Sequence, residues 1–238
     1  MLLCMLYHNI NADKYSNNID TFEHHLVYIK KYFQIVWPGD QLGEKNICLT
    51  FDDGYYNFYA YVYPLLVNYN IKAVLAIPTK FILDNTDIEN KKRLSVYHDD
   101  AWDCYKQAPF CTFEELKEMS ESGYVKIASH THSHANLINC NNISEELLLP
   151  KKILEEKLGI VCDTFMFPYG KYNAEAVKKA SAIYPYLFRI GNGINKDFNG
   201  IKGLIYRIDA DNLKNEKDIF SFCNMSKYRL KSFVRTFC

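Results

Sequence analysis

The sequence predicts an α/β fold, and three observations lead there. Short apolar runs alternate with segments of helical periodicity, as expected when buried strands are joined by helices. Four apolar runs end in polar clusters: Tyr7-His8, Asp52-Asp53-Gly54, His130 to His134, and Pro168-Tyr169. In parallel α/β sheets the carboxyl ends of strands open on one rim, where sites assemble. Finally, 48% of the 238 residues are hydrophobic, enough to bury a substantial core.

The elements follow in order. Leu2–Tyr7 is a buried strand. Asp20–Phe33 is a helix with Phe22, Leu26, Ile29 and Phe33 on one face, which leaves His24 and His25 as surface residues. Ile47–Phe51 is a second strand ending in the acidic pair. Residues 57–69 form a helix kinked or bounded by Pro64, and Ala73–Ile77 is a strand. Residues 81–111 are polar and irregular, an insertion or lid carrying Tyr97, His98, Asp99, Asp100 and Trp102. Thr112 to Glu115 form a capping box opening a helix that stops at Gly123. Strand 125–128 leads into Ser129-His130. Helix 144–158 contains Pro150 and ends at Gly159. Strand 164–167 enters Pro168-Tyr169-Gly170. A helix over 173–184, strands at 187–190 and 206–208, and a helix start at 216–222 complete the pattern. Residues 1–238 are expected to form a single catalytic domain.

Lysine plus arginine balances aspartate plus glutamate, 28 against 28. The densest basic stretch, 227–235, reads as a solvated helix end, so no nucleic-acid partner is expected. The opening MLLCMLYHNI has neither a basic leader nor a small-residue cleavage site, and no run of 18 apolar residues occurs. The expectation is a cytoplasmic protein without a transmembrane segment. The eight cysteines are scattered without a C-x-x-C pair, which suits reduced thiols better than disulfides or a cysteine zinc site. The 19 tyrosines and 15 phenylalanines chiefly fill core and half-buried positions, though tyrosines also line clefts that stack on sugar rings.

The polar clusters suggest chemistry. Two adjacent carboxylates repel each other, and a divalent cation offsets that repulsion; an ordinary Asp-Asp-Gly turn is the competing explanation. His130 and His134 lie four apart, a spacing that puts both imidazoles on one side of a helical turn. One carboxylate with two imidazoles leaves coordination positions open for water and substrate. His132 faces elsewhere in that geometry. This donor set suits zinc, and also cobalt, nickel or iron.

Leu49-Thr50-Phe51-Asp52-Asp53-Gly54 resembles the first motif of the NodB-homology polysaccharide deacetylases, carbohydrate esterase family 4. Ser129-His130-Thr131 followed by His134 resembles the second, and Phe165-Met166-Phe167-Pro168-Tyr169-Gly170 the third, in its aromatic-Pro-Tyr-Gly form. The resemblance runs from about residue 2 to 210. It implies a distorted (β/α) barrel of about seven strands. It implies a metal held by Asp53, His130 and His134, with Asp52 the base that takes a proton from the attacking water. It also implies that the backbone N–H of Tyr169 stabilises the oxyanion. The expected reaction is removal of N-acetyl groups from the sugars of a surface polysaccharide or its precursor, with a carbohydrate as the partner. A lipid-linked substrate would bring the protein to a membrane. Hydrolysis of O-acetyl esters or cyclic amides, or an inactive carbohydrate-binding homologue, are the alternatives.

Two departures from the family pattern stand out. Met166 occupies the place of an arginine that pairs with the base, and no histidine follows His134 to act as the late-strand acid. A branch of the family acting on poly-N-acetylglucosamine begins with a similar Tyr-His strand, and the resemblance to it implies that His8 is the acid. His98 is the fallback. Arg207, at a predicted strand end, is the candidate to orient Asp52 in place of Met166.

Overall fold

The computed structural model describes residues 1–237; Cys238 lies outside the described residues. Ten strands are present: β1 (Leu2–Tyr7), β2 (Asn9–Ile10), β3 (Ser16–Asn17), β4 (Gln34–Ile35), β5 (Asn46–Phe51), β6 (Ala73–Ile77), β7 (Val125–Ser129), β8 (Thr164–Met166), β9 (Tyr186–Ile190) and β10 (Ile205–Asp209). Seven of them run β1-β10-β9-β8-β7-β6-β5, all parallel, and β5 returns to β1 with Leu2 opposite Asn46 through Tyr7 opposite Phe51. The sheet therefore closes into a seven-stranded parallel barrel, the architecture expected from the family resemblance. The short β4 extends the β5 edge, and β2 with β3 makes a small ribbon just beyond β1.

Burial on both faces explains the near-continuous apolar runs of β1 and β5. Strand alternation divides them. Leu2, Cys4, Cys48, Val74, Ala76, Ala128, Met166, Phe188 and Ile205 form one buried cluster, while Leu3, Met5, Ile47 and Leu49 join the larger cluster that includes the helices. The first cluster is rich in small side chains, which leaves room for polar groups along the same faces.

The helices are α1 (Ile19–Tyr32), α2 (Tyr63–Tyr69), α3 (Asn90–Leu94), α4 (Phe113–Glu121), α5 (Ile143–Leu158), α6 (Ala174–Ser181) and α7 (Phe222–Phe237). Asparagines at 18, 142 and 173 cap α1, α5 and α6, and the Thr112–Glu115 capping box is formed at α4. No described helix is long and apolar enough to cross a membrane. The seven described cysteines are free.

Several sequence expectations need correction. The expected 57–69 helix is a π-turn over Phe58–Val62 followed by α2, and Tyr63 N–H donates to the Phe58 carbonyl. Pro64 has no N–H to continue the i→i−4 ladder, so the preceding turn widens. Residues 81–111 are largely irregular, as expected, but contain α3 and one short 3₁₀ turn at Tyr105–Gln107, with buried Arg93 among them. That guanidinium bonds both oxygens of Glu115 (2.6 and 2.9 Å), the Ala108 carbonyl (2.8 Å) and the Phe110 carbonyl (3.0 Å), and lies over the Tyr56 ring. The last helix starts at Phe222 and runs to Phe237, after a 3₁₀ turn at Asp218–Phe220.

His25 is buried rather than on the surface. It shares the inner face of α1 with Phe22, Leu26 and Ile29, accepts from the Tyr7 hydroxyl (2.9 Å) and bonds the Glu216 carbonyl (2.8 Å). A carbonyl only accepts, so Nδ1 carries the proton and the ring is neutral. Burial lowers its pKa to about 4.

Candidate active site

Asp52 follows β5 on the inward parity of Cys48 and Thr50. Strand alternation would send Asp53 to the opposite face, but the backbone turns left-handed there (φ 70°) and again at Gly54 (φ 68°). This brings both carboxylates to the same rim, at about 1–2 kcal/mol of backbone strain for the non-glycine residue. A Cβ at Gly54 would press on the tip of the Ile77 side chain at 2.6 Å, which can rotate aside, so the left-handed φ is what calls for glycine there.

His130 follows β7. The segment from His130 to His134 is an irregular loop, not the helical turn expected from the spacing, with Thr131 at φ 64° and His134 at φ 56°. The loop is held from two sides. Ala135 N–H donates to Thr131 Oγ1 (3.0 Å), and Ser133 donates through its N–H and hydroxyl to Glu146 of α5 (2.8 and 2.6 Å).

Asp53 Oδ1 lies 3.4 Å from His130 Nε2 and 3.2 Å from His134 Nε2. One donor atom from each residue falls within 4.8 Å of the others. His130 Nδ1 sits 2.8 Å from the Met166 carbonyl, so it carries the proton and Nε2 presents a lone pair. Asp53 Oδ1 is buried without a hydrogen-bond partner. A carboxylate oxygen facing an unprotonated imidazole nitrogen is two acceptors meeting without a donor, the arrangement a cation completes. The three residues therefore fit a divalent metal ion.

Asp52 is gripped by Arg207 from β10. The guanidinium reaches Oδ1 at 2.6 Å and Oδ2 at 2.7 Å, touches Thr50 Oγ1 at 3.2 Å and lies 3.1 Å from Met166 Sδ. Arg207 is fully buried, in the space left by small neighbours such as Cys4, Cys48 and Ala128. Burial alone would push the Asp52 carboxyl up; Arg207, helped by His8, outweighs it and holds the group below the ordinary carboxylate range.

His8 stands just beyond β1. Its Nδ1 lies 2.6 Å from Asp211 Oδ2, and its backbone N–H donates to Oδ1 of the same carboxylate (3.0 Å). Burial opposes a charged ring, but the Asp211 hydrogen bond and the carboxylates of Asp211, Asp53 and Asp52 raise its pKa to about 9. His98 is engaged elsewhere, with Nδ1 2.9 Å from the Tyr55 hydroxyl, and His132 Nδ1 lies 2.9 Å from Thr79 Oγ1. Tyr169 occupies a 3₁₀ turn at φ 57°, with its ring 4.6 Å from that of His134. On the other side, Trp102 stacks on His134 at 4.5 Å and 9°.

Sequence reasoning missed Asp211 and gave Trp102 no task. The Asp209-Ala210-Asp211 cluster after a predicted strand was a usable signal for the first. Nothing local marks Trp102, which stacks on His134 from the distant 81–111 segment.

These features define a (β/α) barrel with an Asp-His-His cluster on its rim that fits a cation. The chain belongs to the polysaccharide deacetylase family, whose model matches residues 39–184. His8, Arg207 and Asp211 lie outside that match. A Bacillus subtilis protein named for the family, YxkH, is 30% identical over 139 residues, 58% of this chain and 41% of that protein. The poly-β-1,6-N-acetyl-D-glucosamine N-deacetylase of Escherichia coli K12 is 25% identical over 186 residues, 66% of this chain and 26% of that enzyme. The chain thus spans well under half the length of these curated relatives. The structure of the Streptococcus pyogenes deacetylase PplD in complex with acetate superposes with a TM-score of 0.74 at 20% identity, covering 92% of this chain and 96% of that one.

Proposed function

We propose that this chain is a metal-dependent N-deacetylase acting on the N-acetylhexosamine units of a polysaccharide or its precursor. The supporting observation is the convergence of donor atoms from Asp53, His130 and His134 beside the Arg207-bound Asp52. A cation held there, with zinc the first candidate and cobalt, nickel or iron next, would supply a Lewis acid that polarises the amide and makes a water easier to deprotonate.

The chain's own groups divide the remaining work. Asp52, ionised at neutral pH, takes a proton from the attacking water. Arg207 orients both Asp52 oxygens and keeps the carboxylate charged. The backbone N–H of Tyr169 donates to the oxygen that gains charge as the water adds to the acetyl carbon. His8, protonated and aligned by Asp211, delivers a proton to the nitrogen as the C–N bond breaks. Water and amide become acetate and amine. Trp102 and Tyr169 form apolar walls beside His134, suited to an acetyl methyl and a sugar face. The name of the Escherichia coli relative makes β-1,6-linked N-acetylglucosamine the first substrate to try.

The test is acetate release from N-acetylglucosamine oligomers of several linkages, with O-acetylated xylan and a cyclic imide as controls. Activity on the amide substrates should stop with a chelator and return with one of the four metals. Release from the esters or imide alone would replace the N-deacetylase reading. No release from any substrate, with metal bound, would leave a carbohydrate-binding homologue.

A further inference from the structure

α7 is the one helix for which no buried residue is found among those described, yet it is not polar. Its inward face is Asn224, Met225, Tyr228, Ser232 and Arg235, all half-buried. Ile194 N–H donates to Ser232 Oγ (2.7 Å), and the Arg235 guanidinium lies 4.3 Å from the Tyr206 ring centre. The opposite face carries Phe222, Leu230, Phe233, Val234 and Phe237, exposed by 85, 64, 63, 49 and 74%. At 100° per residue these five fall within one stripe about a third of the circumference wide. The three phenylalanines alone leave on the order of 400 Å² in water. That already approaches the largest apolar patch of an ordinary monomer.

The charges flanking the stripe identify its partner. Lys227 and Lys231 border one side and Arg229 the other, and α7 contains no aspartate or glutamate. Beside Phe233, a groove of about 390 Å³ between α7 and the 194–202 loop adds Lys196 and Lys202, with Ile194 and Ile201 at its base. The nearby acid Asp197 accepts from the Asn199 N–H within its own turn. An apolar stripe with phenylalanines, bordered by cations and free of acids, matches the interface of an anionic bilayer. It matches a protein partner less well, because an apolar protein groove gives the basic borders nothing to neutralise.

We propose that α7 is a membrane-surface helix that lies in the headgroup region of an anionic bilayer, with the phenylalanine stripe inserted and the lysines over lipid phosphates. The helix would lie on the bilayer, since it is too short and too charged to span. This role does not depend on the deacetylase reading.

The test is co-sedimentation of the whole protein with vesicles rich in phosphatidylglycerol, against vesicles of phosphatidylcholine alone. Binding should favour the anionic vesicles and weaken with salt. Neutralising two lysines (Lys227→Gln with Lys231→Gln) should weaken it about tenfold or more, at roughly one interfacial charge contribution per lysine. Phe233→Ser with Phe237→Ser should also abolish it, while circular dichroism and the melting midpoint stay unchanged. If the phenylalanine pair disturbs folding, the lysine pair and the salt series on the unaltered protein still decide. No preference for anionic vesicles, or equal binding by unaltered protein and lysine variant, overturns the proposal. So does a concentration-dependent dimer, dissociated by the phenylalanine pair, in a protein that ignores vesicles.

Discussion

At the scale of single residues, the centre turns on two buried charge pairs. Arg207 neutralises Asp52, and removing the arginine leaves a carboxylate at 2% exposure with no cation beside it. Breaking such a pair costs about 3–5 kcal/mol. Arg207→Met should therefore lower the unfolding free energy by that order and raise the Asp52 pKa, since burial then loses its main opponent. The acid limb of the activity profile should move to higher pH and the rate should fall about 100-fold or more, with metal content retained. Lost metal together with the lost rate would assign Arg207 to the fold instead. His8 works in the opposite sense. Its folded-state pKa, about 9, lies above the 6.5 of a free imidazole, so the His8–Asp211 pair stabilises the fold fully below 6.5, and that contribution fades as pH rises through 9. If His8 is the acid, activity falls over the same alkaline range. His8→Gln should slow turnover by about 100- to 10,000-fold and remove that limb; a pH–rate profile with the limb intact would exclude His8.

At the scale of elements, the 81–111 segment and the 130–134 loop bring Trp102, His130 and His134 to the site. Within that segment the Arg93 guanidinium ties Glu115 to the Ala108 and Phe110 carbonyls. Arg93→Met should cost about 3 kcal/mol through the abandoned Glu115 and the two carbonyls. Hydrogen exchange should rise across residues 90–111 while the barrel strands remain protected, and Trp102 should lose its stacking on His134. Uniform loss of protection would show instead that lid and barrel unfold together. Most elements were legible in the sequence, because barrel strands buried on both faces are continuous apolar runs and the helices carry asparagine or capping-box starts. What escaped has a local cause. The π-turn arises because Pro64 lacks an N–H. The task of Arg93 escaped because it resembles any surface arginine until Glu115 and two carbonyls surround it. The exposed stripe of α7 looks, in one dimension, like an ordinary amphipathic helix facing a core.

At the scale of the whole molecule, closure of β5 on β1 brings residues 8, 52, 53, 130, 134 and 211 to one rim, with Arg207 reaching Asp52 from the buried middle of β10. Metal binding should then report on global stability. Zinc at about 100 times its Kd should add roughly 2.7 kcal/mol, or a melting rise of about 5–10 °C for a chain of this size. Asp53→Asn should abolish that shift. A shift that survives in the variant would move the cation elsewhere. By itself the sequence determined the α/β class, the family and the candidate Asp-His-His set, because strand burial and motif spacing are written in local order. Only the tertiary structure decided that Arg207 grips Asp52 where Met166 stands, that Asp211 holds His8, that His25 is a neutral core residue, and that Trp102 covers His134. Each of those contacts joins parts of the chain distant in order, so their separation is set by the folded barrel together with the helices and loops packed on it.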